Sequence, residues 1–228
     1  MLDAVLLEWE GVLADTASAR RDALLRALDD EGVPWTAAAY EACCGGLGVR
    51  AAAATALERS GRDDATLADL VAFRASRVFM DGLSQGFTLA PGAARFVAAA
   101  ESGSRVAIVT RSSRAEAELA LRLSGLGDSA AVVVTVDDVL DPPPAPALYV
   151  HALAHLARRR AVRAACAVAI VDTPHAVRAA RAAGVRTIAV GAPAHVAVEA
   201  DAAADGLDGL TLDRIATLAG LPTTVRRP

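Results

Sequence analysis

Apolar residues recur along the chain in short runs that are rich in branched side chains and have the length of a β-strand. Five such runs lie at residues 4–9, 105–110, 131–136, 167–172 and 186–190. Each is nearly continuous, as in strands buried on both faces of a parallel sheet. Segments with helical periodicity, such as PGAARFVAAAESG and PHAVRAARAAG, separate them. This alternation predicts an α/β fold, a doubly wound parallel sheet covered by helices.

One part of the chain breaks the alternation. From about residue 16 to residue 86 the pattern is helical throughout, and turn signals such as DDEGVP and RSGRDD separate the helices. An all-helical insertion after the first strand is the simplest explanation. We therefore predict two domains, an α/β core formed by residues 1–15 and 87–228 and a helical domain formed by residues 16–86.

Composition and charge narrow the classes of function. The chain has 228 residues, of which 54% are hydrophobic, so it can bury a sizeable core. Its formal net charge of −4, with no basic block, argues against nucleic acid as the main partner. No apolar run approaches the roughly 20 residues of a membrane span, and the N-terminus lacks the pattern of a signal peptide. We expect a cytoplasmic protein that binds neither nucleic acid nor membranes; the oligomeric state stays open.

Polar side chains mark the ends of the predicted strands. Glu8 and Glu10 end the first run, Thr110 ends the second and Asp172 ends the fourth. In open α/β sheets the ligand crevice lies beyond the carboxyl ends of the strands, so we expect these side chains to meet there. A pair of carboxylates at the mouth of a parallel sheet is typical of a catalytic site.

Four stretches of the chain follow one another in the order of a known set of motifs. They are EWEGVLADT, VAIVTRSSR, DPPPAPALY and VDTPHAVRAARAAG. Together they resemble the haloacid dehalogenase-like superfamily, in particular its branch of phosphatases and β-phosphoglucomutase-like enzymes, and the similarity runs from about residue 3 to residue 215. The resemblance implies a Rossmann-like core with a helical cap inserted after the first strand, with Thr110 at the second motif.

Four motif positions carry a different residue from that of the family. The two aspartates of the first motif are Glu8 and Glu10, the lysine of the third is Pro143, and the glutamate of the fourth is Val171. In the family the first aspartate attacks phosphorus and the second is the general acid–base. The extra methylene of a glutamate moves the carboxylate by about the length of a C–C bond, and a displacement of roughly 1 Å can cost about a hundredfold in rate. The resemblance implies that Asp172, with Glu8 and the backbone carbonyl of Glu10, would hold Mg²⁺ through oxygen ligands.

Three arginines are candidates to bind a small phosphorylated metabolite, which is the ligand class that the resemblance implies. Arg111 and Arg114 follow the strand that ends at Thr110, and a guanidinium pairs well with phosphate. They are therefore the candidates to replace the missing lysine. The turn GGLGVR resembles the cap loop that touches substrate in the family, so that Arg50 or Val49 would contact the ligand; a plain turn between helices is the alternative.

Three hypotheses follow. In the first, the phosphoryl-transfer site is degenerate and the protein retains at most ligand or partner binding. In the second, the protein is an active Mg²⁺-dependent phosphatase or mutase of altered chemistry, with Glu8 in place of the aspartate nucleophile. The third, an unrelated doubly wound domain that binds nucleotides, lacks a glycine-rich phosphate loop after a strand. A metal between Glu8 and Asp172 would favour the second hypothesis, and a salt bridge filling the crevice would favour the first.

Overall fold

The computed structural model of the protein describes residues 1–103, 105–127, 132–141, 145–158 and 161–222. These residues form eight strands and ten α-helices. The strands are Ala4–Glu8 (β1), Ala14–Asp15 (β2), Thr88–Leu89 (β3), Arg105–Val109 (β4), Val132–Val134 (β5), Ala167–Val171 (β6), Arg186–Val190 (β7) and Ala202–Ala204 (β8). The helices are Ala17–Asp29 (α1), Ala37–Cys43 (α2), Val49–Arg59 (α3), Ala65–Gln85 (α4), Ala93–Gly103 (α5), Arg114–Ser124 (α6), Ala147–Ala157 (α7), Pro174–Ala182 (α8), Ala194–Glu199 (α9) and Leu212–Leu218 (α10).

Six of the strands form one parallel sheet in the order β5-β4-β1-β6-β7-β8. The central strand β1 is buried along its whole length, and so is β6. Alternate residues of β1 enter different apolar clusters, with Val5 and Leu7 on one face of the sheet and Ala4 and Leu6 on the other. Helices therefore cover both faces, and the predicted doubly wound α/β fold is confirmed.

All five predicted strands have a counterpart in the sheet, but the edge strand β8 was not predicted. Its sequence, AAA within DAAADG, has neither the branched residues nor the alternation that indicate a strand. It is placed by its pairing with β7, where Ile188, Ala189 and Val190 lie opposite its three alanines.

None of the helices in the described part of the chain combines the length and the apolar character needed to cross a lipid bilayer.

Helices α1 to α4 follow one another between β2 and β3, and we call residues 17–85 the helical segment. Its helices pack around an apolar cluster of their own, which includes Leu24, Leu28, Ala53, Leu57 and Val71. The most extensive packing within the segment is that of α4 against α1 and α3. The strands β2 and β3 pair in antiparallel fashion at the two ends of the segment. The division into two domains stays a prediction, and this separate cluster favours it.

Candidate functional site

The carboxyl ends of three neighbouring strands bring four of the predicted residues together. Glu8 is the last residue of β1, Thr110 follows β4 and Asp172 follows β6. Glu8 and Thr110 are buried, and Asp172 is half-buried. The backbone N–H of Asp172 donates to Oε2 of Glu8 over 3.3 Å. The strand order changes direction around β1, which is where a ligand crevice is expected in such sheets.

Glu10, the fourth of these residues, lies in the turn after β1 rather than on the strand. The turn needs glycine at position 11, whose φ is +76° and where a Cβ would lie 1.7 Å from Oδ2 of Asp172. The N–H of Gly11 donates to the carbonyl of Ala14 over 2.9 Å and closes the turn. This geometry directs Glu10 towards Thr110, whose Oγ1 donates to Oε2 of Glu10 over 2.9 Å.

Arg20, on α1 of the helical segment, inserts into this site and forms an ion pair with Glu10. Its Nη2 lies 2.9 Å from Oε1 of Glu10, and its Nη1 lies 3.3 Å from Oε2 of Glu116. Nη2 also donates to Oγ of Ser112, which in turn donates to Glu10. The guanidinium carbon lies 3.9 Å from the centre of the Phe79 ring. Arg20 is therefore a buried cation with a full set of partners.

Glu116 connects the same network to a second helix of the segment. It is fully buried at the third position of α6, where it forms a capping box with Ser113. The hydroxyl of Ser76, on α4, donates to Oε1 of Glu116 over 2.6 Å. Side chains of α1 and α4 thus both bind the start of α6, and the helical segment is joined to the sheet by a buried polar network.

A cleft of about 500 Å³ lies between the helical segment and the sheet. Tyr40 and Gly46 line it on the helical side, and Arg111, Asp172 and His175 line it on the other. Position 46 favours glycine, since its φ is +84° and a Cβ would lie 3.0 Å from Nδ1 of His175 and 3.5 Å from Nη1 of Arg111. The missing side chain leaves room for a ligand beside the guanidinium of Arg111.

The other sequence candidates lie outside this cleft. Arg50 is exposed, and its Nε lies 2.5 Å from Oδ1 of Asp69. Arg114 forms an ion pair with Asp138 on the far side of the start of α6. Neither arginine lines the cleft. Val171 ends β6 and is fully buried in the apolar cluster on one face of the sheet, and Pro143 lies outside the described residues.

The two glutamates have pKa values shifted in opposite directions. Burial, followed by the charge of Asp172, holds the pKa of Glu8 well above its ordinary value of 4.5. Burial also raises the pKa of Glu10, but the positive charges of Arg20 and Arg111 and hydrogen bonds from two hydroxyls outweigh it, so the pKa of Glu10 is lowered. At neutral pH Glu10 is therefore ionised, and burial favours the protonated form of Glu8.

We expect Glu8→Gln to remove part of the pH dependence of stability. A carboxyl whose pKa is raised on folding stabilises the native state below its unfolded pKa, and this stability is lost as the pH rises from about 4.5 through the raised pKa. The loss is about 1.4 kcal/mol for each unit of upward shift. Urea unfolding between acidic and alkaline pH measures it, and the variant should be the more stable protein at neutral pH.

Glu10→Gln provides the matched comparison, because the pKa of Glu10 is shifted downward. Its ionised form stabilises the native state above the unfolded pKa, so this variant should be less stable than the wild type at neutral pH. Equal pH dependence of unfolding in the wild type and the Glu8→Gln variant would contradict the raised pKa of Glu8.

Two arginines supply positive charge to the carboxylates that the resemblance assigns to a magnesium ion. Mg²⁺ requires octahedral oxygen ligands at about 2.0–2.1 Å. Across the described ranges, no three His, Cys, Asp or Glu side chains are grouped so that they could hold a metal. Both oxygens of Glu10 accept hydrogen bonds from Arg20, Ser112 or Thr110. The positive charge among the carboxylates comes instead from Arg20 and Arg111.

Sequence reasoning missed several residues of the site, and Arg20 is the most important. The segment ASARRDALLRALD contains three arginines, and its hydrophobic pattern gives no reason to choose the first. Tyr149, on α7, was also missed, although its position on the sheet-facing side of an apolar helix makes burial predictable. The charges of Glu8 and Arg111 act on its hydroxyl, and the sequence does not show that these three side chains lie near one another.

The chain is similar in sequence and in fold to proteins of one family. The family profile of haloacid dehalogenase-like hydrolases matches residues 5–190. Protein CbbY of Rhodobacter capsulatus is 29% identical over 195 residues, which are 82% of this chain and 84% of the relative. CbbY from Rhodobacter sphaeroides in complex with phosphate has a TM-score of 0.80 and 25% identity, covering 94% of this chain and 99% of that one.

A second structure of the Rhodobacter sphaeroides protein, a variant in complex with xylulose-1,5-bisphosphate, has a TM-score of 0.79 and 26% identity. The two structures cover the same shares of the chains, 94% and 99%. The matched residues contain the first strand, the helical segment, the start of α6 and Asp172, which form the site described above. The resemblance carried by the four motifs is thereby confirmed, and the chain belongs to the haloacid dehalogenase-like hydrolase family.

Proposed function

We propose that this protein binds a small phosphorylated metabolite in its cleft and does not transfer the phosphoryl group. The ion pair between Arg20 and Glu10 carries the proposal. A general acid–base needs a pKa near the working pH and an oxygen within reach of the reacting proton. Glu10 stands at the family's acid–base position, but its pKa is lowered and both its oxygens already accept hydrogen bonds.

The state of Glu8 supports the same conclusion. A carboxylate attacks phosphorus as the ionised form, whereas burial and the neighbouring Asp172 favour the protonated form of Glu8. Haloacid dehalogenase-like hydrolases typically use Mg²⁺, which neutralises such carboxylates and orients the phosphate. The alternative is an active phosphatase or mutase with Glu8 as nucleophile. In that case Mg²⁺ would have to bind close to the guanidiniums of Arg20 and Arg111, which already supply positive charge.

The class of ligand follows from the cleft and from the relatives. A volume of about 500 Å³ is within the range of pockets for small molecules. The cleft contains the guanidinium of Arg111, and an arginine suits the planar, bidentate recognition of a phosphate. CbbY of Rhodobacter sphaeroides was crystallised with phosphate and with xylulose-1,5-bisphosphate. We propose that a phosphorylated sugar, or a metabolite of similar size, binds here.

Turnover of phosphate esters by the purified protein tests this proposal. We expect that, with Mg²⁺ present, the wild type releases phosphate from xylulose-1,5-bisphosphate and from a panel of sugar phosphates no faster than the Glu8→Gln variant does. The variant is the matched control because it keeps the shape of the side chain but has no carboxylate to attack phosphorus. Turnover that needs Mg²⁺ and disappears in Glu8→Gln would overturn the proposal and establish the alternative.

A variant with the family's residues restored identifies which changes removed the chemistry. It combines the substitutions Glu8→Asp, Glu10→Asp, Pro143→Lys and Val171→Glu. Since displacement of a reacting group by roughly 1 Å can cost about a hundredfold, a gain of at least this size over the wild type is expected if the motif positions are responsible. Circular dichroism of the folded variant accompanies the assay, because Val171 is fully buried.

A further inference from the structure

Arg111 lines the same cleft as Glu10 and Asp172. Its charge acts on the carboxylates of Glu8, Glu10 and Asp172, and their charges in turn raise the pKa of Arg111 against the effect of burial. Unlike Arg20, it forms no ion pair within 4 Å among the residues that the structure describes. It is therefore a cation whose charge acts on three carboxyl groups, without an ion-pair partner in the described part of the protein.

Six buried side-chain polar atoms have no hydrogen-bond partner in the described structure, and four of them belong to Arg111 or to residues on which its charge acts. These four are Nε of Arg111, Oδ1 of Asp172, Nδ1 of His175 and the hydroxyl of Tyr149. Tyr149 is only 1% exposed, and its hydroxyl feels the charges of Glu8, Arg111 and Asp172. Buried polar groups in native proteins are nearly always hydrogen-bonded, to protein, to ordered water or to a ligand. This concentration of unpaired atoms indicates a place prepared for a polar ligand.

The position is accessible from the cleft. Arg111, Asp172 and His175 line it, and Gly46 leaves space where a side chain would meet both the imidazole of His175 and the guanidinium of Arg111. A guanidinium presents donors in a planar fork that matches a phosphate. An anion bound here would satisfy donors of Arg111 and would not need a metal to offset repulsion from Asp172, because the arginine already lies among the carboxylates.

We propose that Arg111 takes the place of the divalent metal at the strand ends, so that the cleft binds a phosphate group without Mg²⁺. This inference rests on the proposed function, since it specifies how the phosphorylated ligand is held. The charge that a magnesium ion would supply is instead covalently part of the chain. Ligand affinity then depends on one side chain and not on the concentration of the metal.

Titration calorimetry of the full chain with inorganic phosphate tests the inference. We expect the same dissociation constant in EDTA and in excess MgCl₂. Arg111→Met should weaken binding by about tenfold or more, because a hydrogen bond to a charged group contributes roughly that factor. Arg122→Met is the matched control, since Arg122 is an exposed arginine of α6 outside the cleft, and it should bind phosphate as the wild type does.

The electron paramagnetic resonance of Mn²⁺ supplies a second measurement that needs no variant. The wild type should leave the signal of free Mn²⁺ unchanged at concentrations that Mg²⁺ enzymes bind. Phosphate binding that appears only with Mg²⁺, stoichiometric binding of Mn²⁺, absence of phosphate binding in both buffers, or unchanged affinity of a folded Arg111→Met variant would each overturn the inference. Failure of the proposed function has a different readout, namely phosphate release from an ester.

Discussion

Replacing Arg20 with methionine is expected to lower the free energy of unfolding by about 3–5 kcal/mol, which is the usual effect of removing one partner of a buried ion pair. The substitution leaves the carboxylates of Glu10 and Glu116, which are 6% and 0% exposed, without their shared counter-charge. Methionine retains an unbranched apolar chain that can still pack against Phe79, so the loss reports mainly on charge. Urea unfolding at neutral pH measures it.

The adjacent Arg21 provides the control on the same helix. It pairs with Asp22 and Glu41, whose side chains are 63% and 61% exposed, and exposed pairs contribute less than about 1 kcal/mol. Arg21→Met should therefore change stability little. Adding Glu10→Gln to Arg20→Met should recover part of the loss, since one of the two unpaired charges is then gone. Similar losses for Arg20→Met and Arg21→Met would show that the buried network contributes little.

Replacing Gly11 with alanine is expected to lower the free energy of unfolding by about 2–5 kcal/mol. A non-glycine residue in the left-handed region costs roughly 1–2 kcal/mol, and forcing atoms into a packed site costs about 1–3 kcal/mol more. At Gly11 the added Cβ would meet Oδ2 of Asp172 at 1.7 Å. The carboxylate of Asp172 must therefore move away from the position that it occupies in the structure.

Gly32→Ala separates the two causes. Gly32 has a similar φ of +69°, but a Cβ there would meet no atom within 4 Å. It should therefore show the backbone cost alone, and the difference between the two variants measures the contact with Asp172. Urea unfolding of both variants supplies the comparison. An equal loss in the two proteins would mean that Asp172 moves aside freely and is not held where the structure places it.

The sequence predicts the sheet well because burial on both faces leaves a continuous apolar run. It predicts the meeting of Glu8, Thr110 and Asp172 for a topological reason, since parallel strands end at one edge. It does not predict where Glu10 points, because the direction depends on the positive φ of Gly11 after the strand has ended. After that turn, the carboxylate of Glu10 accepts a hydrogen bond from Thr110.

The contacts between distant parts of the chain are what the sequence leaves out. The hydrophobic pattern of α1 does not distinguish Arg20 from Arg21. Only the packing of α1 against the start of α6 brings Arg20 into ion pairs with two buried carboxylates. The resemblance suggests Arg50 as a substrate-contacting residue, but Asp69, 19 residues further along, pairs with it on the surface. Partners so far apart in sequence cannot be assigned from local periodicity.

The network that joins Arg20, Ser76 and Glu116 affects how the helical segment and the sheet respond to fluctuation. Separating the helical segment from the sheet would break these contacts and expose two carboxylates and a guanidinium without their partners. Regions held in this way open in the same cooperative event as the rest of the molecule, whereas weakly attached regions exchange their amide hydrogens by local opening. We therefore expect the amide hydrogens of the helical segment and of the sheet to exchange through one shared opening.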